Sequence, residues 1–538
     1  MNTTAHIDTF ARDHLPAPAL WPELIFELPE LQFPDRLNCA HELLDAWIER
    51  GEGDRLCLQG LGVRWSYAEL QARANAIAQV LVDDMGLVPG NRVLLRGANS
   101  PQLAACWFAV QKAGGIAVAT MPLLRAKELC QVLDKAQVTH ALCDARLSEE
   151  LALAQQQSPT LRQVQFFHSA EPTGLEAHAA TKSGQFTNID TASDDCSLIA
   201  FTSGTTGQPK GTMHFHRDVL AICRCWPPHV LKPTADDVFI GSPPLAFTFG
   251  LGGLLLFPMT VGASSVLLEK ASPDTLLAAI PQYRATVLFT APTSYRAMAA
   301  QAGQYDLSRL RKCVSAGEAL PAATRQLWKD ATGIELIDGI GATELLHIFI
   351  SHTEAQARPG ATGVPVPGYR ACVIDEQGNV LPAGKIGRLA VKGPTGCRYL
   401  ADDRQQHYVL NGWNLTGDAY AVDTDGFFVY QSRTDDMIIS GGYNIAGPEV
   451  ESALLAHPAV AECAVIGEAT EERGQIVKAV VVLHDGFEPG PAMTKTLQDF
   501  VKASIAPYKY PRAVEFRTSL PRTETGKLQR FRLRDPGA

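Results

Sequence analysis

The chain lacks a basic excess: across 538 residues, 47 Lys and Arg stand against 57 Asp and Glu, a formal net charge of −10. A protein that binds a polyanion along its surface carries the opposite balance, so nucleic-acid binding is disfavoured as its main function. Cysteine is dilute and scattered. Of 12 cysteines only Cys223 and Cys225 lie close together, and no CxxC pair completes a zinc-type set. Reduced, buried thiols in a cytoplasmic protein are expected, not a disulfide scaffold. The N-terminus carries Asp8, Arg12 and Asp13 where a signal peptide needs an apolar core. One stretch without charge, 241–268, is long enough to cross a bilayer, yet Pro243, Pro244, Pro258 and several glycines interrupt it. A buried helix flanked by loops is expected there, not a membrane span. Repeats and low-complexity tracts are absent, and a hydrophobic content of 46% excludes a largely disordered chain.

What is present is an alternation of helical and extended patterns. Apolar residues at helical spacing over 66–82 follow a capping box formed by Ser66 and Glu69. A strand at 92–95, a helix at 101–113, a strand at 116–120 and a helix at 126–136 come next. This order predicts parallel sheets covered on both faces. The polar stretch 148–195 reads as surface-laid. Further strands are expected at 264–268, 286–290 and 312–316. From about residue 361 short β-like segments (369–374, 386–391 and 426–430) between glycine turns predict a small β-rich unit, 361–433. After Arg433 a strand–helix–strand series (450–455, 461–466, 476–483 and 497–504) predicts a compact α+β unit, 434–538. The expected fold class is α/β: a large N-terminal domain, 1–433, with two parallel-type sheets and the β-rich unit, followed by a compact C-terminal domain.

The most informative stretch is Phe201-Thr-Ser-Gly-Thr-Thr-Gly-Gln-Pro-Lys-Gly211, after a strand expected at 197–201. Thr202, Ser203, Thr205 and Thr206 offer hydroxyls, Gly204 and Gly207 let backbone N–H groups approach an anion, and Lys210 adds a point charge. It is not a Walker A loop, because Gly-Lys-Ser/Thr is missing. A phosphate-binding loop is the reading.

This loop resembles the signature of the adenylate-forming enzymes, which comprise acyl- and aryl-CoA ligases, luciferases and the adenylation domains of peptide synthetases. Further segments in order extend the resemblance over about residues 35–534. In Asp338-Gly-Ile-Gly-Ala-Thr-Glu344, the resemblance implies that Gly339, Ile340 and Gly341 run along adenine, Thr343 contacts the α-phosphate and Glu344 holds Mg2+. Ile340 stands where the family often has an aromatic residue, so it offers apolar contact without stacking. Gly317 and Glu318, in Ser315-Ala-Gly-Glu-Ala319, resemble the segment on the other side of the adenine. Asp418, in Thr416-Gly-Asp418, and Arg433 resemble the ribose contacts. Asp435 corresponds to the hinge about which a mobile C-terminal domain turns, and Gly441 and Gly442 to the path of the thiol. Lys527, in Leu520-Pro-Arg-Thr-Glu-Thr-Gly-Lys527, resembles the catalytic lysine, a flexible charge for the transition state. Thr202 and Glu344 join it in the implied catalytic set.

The flanking segments are similar to the benzoate and 2-aminobenzoate CoA ligases. Among them are Pro243-Pro-Leu-Ala-Phe-Thr-Phe-Gly250, Glu344-Leu-Leu-His-Ile-Phe349 and, nearer the 2-aminobenzoate branch, Gly441-Gly-Tyr-Asn-Ile-Ala-Gly-Pro-Glu449. The implied acid pocket holds Phe247 as an aromatic gate, Gly317, Gly341, and His347 within reach of a ring's ortho substituent; a buried structural histidine is the other reading of His347. The implied reaction is ATP- and Mg2+-dependent formation of an aryl-CoA, best matched by 2-aminobenzoate, with release of AMP and pyrophosphate. Alternatives are a benzoate- or other acyl-CoA ligase, or a stand-alone adenylation enzyme loading a carrier protein. The expected partners are the aromatic acid, ATP and CoA, without nucleic acid or membrane span, and a homodimer is left open.

Overall fold

The computed structural model describes residues 3–202, 209–433, 436–440, 443–470, 474–505, 507–522 and 528–534. These form four sheets. The first has six strands in the order Gln163–Phe167, His140–Asp144, Arg92–Arg96, Ile116–Thr120, Cys196–Thr202 and Lys210–Phe215; all neighbours are parallel except the last pair. The second has nine strands. Its parallel centre runs through Leu336–Gly341, Lys312–Ser315, Val287–Thr290, Val238–Gly241, Ser264–Val266 and Leu56–Gly60, with antiparallel strands at both ends. The strands of both centres are almost wholly buried, as the continuous apolar runs predict.

Several helices begin where the residue chemistry dictates. Ser66 accepts from the Glu69 N–H (3.2 Å) while Glu69 accepts from the Ser66 N–H (2.8 Å), so the expected capping box opens the helix Tyr67–Gln79. Ser100 caps the helix Pro101–Lys112, whose Pro101 stands where a missing N–H costs nothing. The uncharged stretch after Gly241 folds into consecutive helical turns from Thr248 to Thr260, buried from Gly250 to Met259. No helix among the described residues is long and apolar enough to cross a membrane. One continuous core draws on both sheets, the helices Tyr67–Gln79, Pro101–Lys112 and His216–Trp226, and these turns.

Two expectations need adjustment. The polar stretch 148–195 is not merely laid on the surface. It contains the helix Ser148–Gln157 and supplies Gln163–Phe167, the edge strand of the six-stranded sheet. Only Phe167 of that strand is fully buried, and an edge strand with one buried end leaves no long apolar run to read. The strand expected at 426–430 starts later, at Phe428, because Asp423 accepts from the N–H groups of Asp425 and Phe427 and holds the turn open up to that point.

The third sheet, antiparallel, spans Arg370–Ile374 to Phe428–Arg433. The fourth begins at Ile438 and has its own core around Val450, Leu454, Val465, Val477, Val481 and Leu497. Arg296, on the helix Pro292–Ala299, reaches across to it and donates to the carbonyls of Val460 (2.9 Å) and Ala461 (3.2 Å).

The most exacting polar contact in the core is Lys112, fully buried, with its ammonium 2.6 Å from Asp45 and 3.0 Å from Asn188. Asp45→Ala would strand that ammonium, and a buried charge left without its partner costs about 3–5 kcal/mol. Chemical denaturation should show the loss, and adding Lys112→Met should recover part of it.

Candidate active site

The strand pair Cys196–Thr202 and Lys210–Phe215 brings Thr202 opposite Lys210, so the glycine- and hydroxyl-rich connection leaves from the end of the six-stranded sheet. Residues 203–207 of that connection lie outside the described residues, as do Asp435, Gly441, Gly442 and Lys527. The segment 398–400 docks as a short strand on 211–213: Met213 N–H donates to Arg398 O (2.8 Å) and Leu400 N–H to Gly211 O (2.8 Å). This registry delivers Tyr399 beside Lys210. The Lys210 ammonium is 3.3 Å from the Tyr399 hydroxyl, which donates to Glu344 Oε1 at 2.5 Å. Burial and the Glu344 charge push the Tyr399 phenol far up, so it remains a donor. A cation, a phenol and a carboxylate thus stand in line where a phosphate loop begins.

Glu344 lies in the turn Thr343–Leu345 that follows the strand Leu336–Gly341. The turn is held from behind. His214 Nε2–H donates to Thr343 O at 2.8 Å, and its Nδ1 stands 3.8 Å from Asp218, which forms an ion pair with Arg398. His214, Asp218 and Arg398 are all fully buried. Sequence reasoning missed this group and Tyr399. His214 and Asp218 meet across the strand-to-helix junction at Phe215–His216, which the sequence pattern did not mark, and nothing local marks Arg398 and Tyr399.

On the nine-stranded sheet, Ser315 pairs with Asp338, so the segment carrying Gly317 and Glu318 leaves the sheet beside 338–341. Gly317 adopts φ 91°, a conformation that suits glycine. Gly341 must also be glycine: a Cβ would lie 2.9 Å from the backbone of His347. Gly339 packs on Ile348 and Ile340 is half-buried against the core. Asp418 and Arg433 face each other across two antiparallel strands, 3.1 Å apart, with Asp418 buried and Arg433 about half exposed. Burial raises the Asp418 carboxyl despite the pair. Glu318 is bridged to Arg522 (3.3 Å), which also binds Glu462 (2.8 Å), so the segment entering the lysine loop reaches the flank of this cleft.

Of the four acid-pocket candidates, the two aromatic side chains, Phe247 and His347, lie in different surroundings. Phe247 precedes the helix Thr248–Leu251 and lines a small cavity, about 20 Å³, with Trp107, Ala119, Leu198, Ala200 and Leu245. His347 does not line that cavity. It is buried among Trp226, Phe249 and Phe257, and Gly252 is flush with its ring, where a Cβ would come within 2.4 Å. Neither ring nitrogen has a hydrogen-bond partner among the described residues. Burial lowers its pKa to about 3, so the imidazole is neutral.

Glu344 is the carboxylate suited to magnesium here. It offers a hard oxygen, and Mg2+ that arrives with a nucleotide is held by one or two carboxylates, substrate phosphates and water. Among the described residues the one compact group of three metal-ligand types, Asp144, His168 and Glu269, lies elsewhere, and Arg146 already bonds both of its carboxylates.

Asp338 is buried with Oδ1 unpartnered among the described residues, and burial, partly offset by Arg325, raises its pKa to about 7. A carboxyl raised from its ordinary 3.8 is a proton taken up on folding. Its contribution to stability is full below pH 4 and is lost as the pH rises through about 7. Asp338→Asn should flatten the pH dependence of the denaturation midpoint between pH 5 and 8; an unchanged slope would contradict the assignment.

Two family models match this chain: the AMP-binding enzyme domain over residues 44–399 and the AMP-binding enzyme C-terminal domain over residues 449–527. The benzoate–CoA ligase of Thauera aromatica is 35% identical over 512 residues, 94% of this chain and 97% of that protein. The 4-hydroxybenzoate–CoA/benzoate–CoA ligase of Rhodopseudomonas palustris is 31% identical, covering 93% and 94%. The crystal structure of the anthranilate CoA ligase AuaEII in complex with anthranoyl-AMP superposes with a TM-score of 0.90 at 34% identity, covering 95% of this chain and 99% of that one. With both family models matched in order and relatives aligned along nearly its whole length, the chain belongs to the AMP-binding enzyme family, among its acid–thiol ligases.

Proposed function

We propose that this enzyme activates an aromatic carboxylate, 2-aminobenzoate before others, as an aryl adenylate and transfers the aryl group to coenzyme A. The observation that carries the choice of acid is His347, a neutral imidazole in an aromatic wall whose two buried nitrogens make no hydrogen bond of bonding length among the described residues, with only the Phe249 backbone near enough to raise its pKa slightly against burial. A buried polar atom without a partner is costly, and a substrate that brings a polar group to it relieves the cost. An ortho amino group on a flat ring has that shape and chemistry. The likeness to an anthranilate CoA ligase bound to anthranoyl-AMP supports this acid, while the benzoate–CoA ligase relatives keep benzoate as the second reading.

In the proposed reaction, the loop between Thr202 and Lys210 wraps the phosphates of MgATP, Asp418 and Arg433 meet the ribose, and 339–341 and 317–318 enclose the adenine. One carboxylate oxygen of the acid attacks the α-phosphorus, the bond to the β-phosphate oxygen breaks, and pyrophosphate leaves. Lys210 and Lys527 offset the charge gathered there, and Glu344 meets the magnesium that MgATP carries. The C-terminal domain, 434–538, then turns about Asp435. The CoA sulfur passes Gly441 and Gly442, attacks the acyl carbon, loses its proton to solvent and expels AMP. The chain works in the cytoplasm, where ATP and CoA are available.

An ATP–pyrophosphate exchange screen over 2-aminobenzoate, benzoate, salicylate, acetate and a medium-chain fatty acid tests the reading. The highest kcat/KM should belong to 2-aminobenzoate, with AMP as the stoichiometric product once CoA is added. His347→Leu should lower the preference for 2-aminobenzoate over benzoate roughly 5- to 10-fold, the worth of one hydrogen bond. A fatty acid that outruns every benzoate would overturn the aromatic assignment, and activity with a carrier protein but not CoA would overturn the ligase assignment. Separately, Lys527→Ala should slow adenylation by about 10²–10³-fold or more while sparing conversion of supplied aryl-AMP and CoA to thioester. Equal loss in both steps would rule out alternation about Asp435.

A further inference from the structure

The contact Lys210–Tyr399–Glu344 has an arrangement that packing alone does not require. Tyr399 is fully buried, its hydroxyl gives its only proton to Glu344 at 2.5 Å, and the Lys210 ammonium stands 3.3 Å from the same oxygen and 5.2 Å over the ring. Its backbone is pinned by the pairing of 398–400 with 211–213, and Arg398 next to it is tied to Asp218. The far side of the Glu344 turn is pinned by His214 on the Thr343 carbonyl. Both ends of the contact are therefore fixed to the strand Lys210–Phe215, and the one group between them is a phenol.

We infer that Tyr399 is a positioning residue for nucleotide activation: its hydroxyl orients the Glu344 carboxylate so that the free oxygen meets the magnesium of MgATP, and it ties that carboxylate to the lysine of the phosphate loop. The inference rests on the proposed role of Glu344 toward magnesium. A carboxylate that binds a metal is commonly held by a hydrogen bond to its other oxygen, and removing such a partner costs about 10–100-fold in metal affinity or activity. Lys210 keeps the phenol oxygen occupied as an acceptor, which directs the single O–H toward Glu344.

Tyr399→Phe keeps the ring and deletes the oxygen. Calorimetric titration of the full-length enzyme with ATP, in Mg2+ and in EDTA, reads the coupling between metal and nucleotide without any turnover. The enhancement of ATP affinity by Mg2+ should shrink about 10-fold in Tyr399→Phe, with affinity in EDTA unchanged. The Mg2+ concentration for half-maximal pyrophosphate exchange should rise in parallel, and the thioester step from supplied aryl-AMP should keep its rate. In a Glu344→Gln background Tyr399→Phe should change nothing further, since the two act as one unit. A wild-type Mg2+ enhancement that survives Tyr399→Phe overturns this inference alone, as does an equal slowing of both half-reactions. If Glu344→Gln itself leaves the Mg2+ enhancement intact, the proposed role of Glu344 fails, and the role of Tyr399 with it.

Discussion

The buried ion pair between Arg398 and Asp218 is the constraint on which the site depends. Both side chains are wholly removed from water, and Arg398 Nη1 and Asp218 Oδ1 find no partner among the described residues. Such a pair contributes little net stability, because desolvation cancels much of the attraction, yet losing either member leaves an uncompensated charge. What it secures is geometry. Asp218 also accepts from the Phe215 N–H, and the Arg398 guanidinium lies 4.0 Å over the Phe215 ring. The segment 398–400 is thereby locked onto 211–213, and Tyr399 can stand nowhere but between Lys210 and Glu344.

From that lock the rest of the cleft follows. The six-stranded sheet supplies the exit of the phosphate loop, the nine-stranded sheet supplies the 338–344 segment, and the antiparallel sheet supplies Asp418 and Arg433. Three sheets that share one continuous core meet at one cluster of charges. Arg296 and Arg522 bring the fourth sheet to the same edge through hydrogen bonds and ion pairs. Small polar contacts of this type are compatible with the proposed turning of that unit, since surface ion pairs are weak and exchange readily.

Much of this was legible in the sequence because it is written locally. Ser66 with Glu69, Pro101 after Ser100, and the continuous apolar runs at 92–96 and 116–120 each specify an element through neighbours in the chain. The proposed phosphate loop and the 338–344 segment stand out in the sequence for the same reason: glycines, hydroxyls and a few charges concentrated in a few residues. Tyr399 and Arg398 were not, because their partners are separated by more than fifty residues and their roles arise only from the docking of 398–400 on another strand. His347 was visible as a residue but not as a chemistry. Its neighbours Trp226, Phe249 and Phe257 come from other parts of the chain, and the choice between a satisfied core histidine and an open one depends on its missing partners.

The central claim is that the acid's own oxygen attacks the α-phosphorus of ATP. Turnover of 2-aminobenzoate labelled with ¹⁸O in both carboxylate oxygens, followed by mass spectrometry of the products, tests it without reference to rates. The account predicts AMP carrying one labelled oxygen, with pyrophosphate unlabelled. Label appearing in orthophosphate or pyrophosphate, with AMP unlabelled, would contradict it.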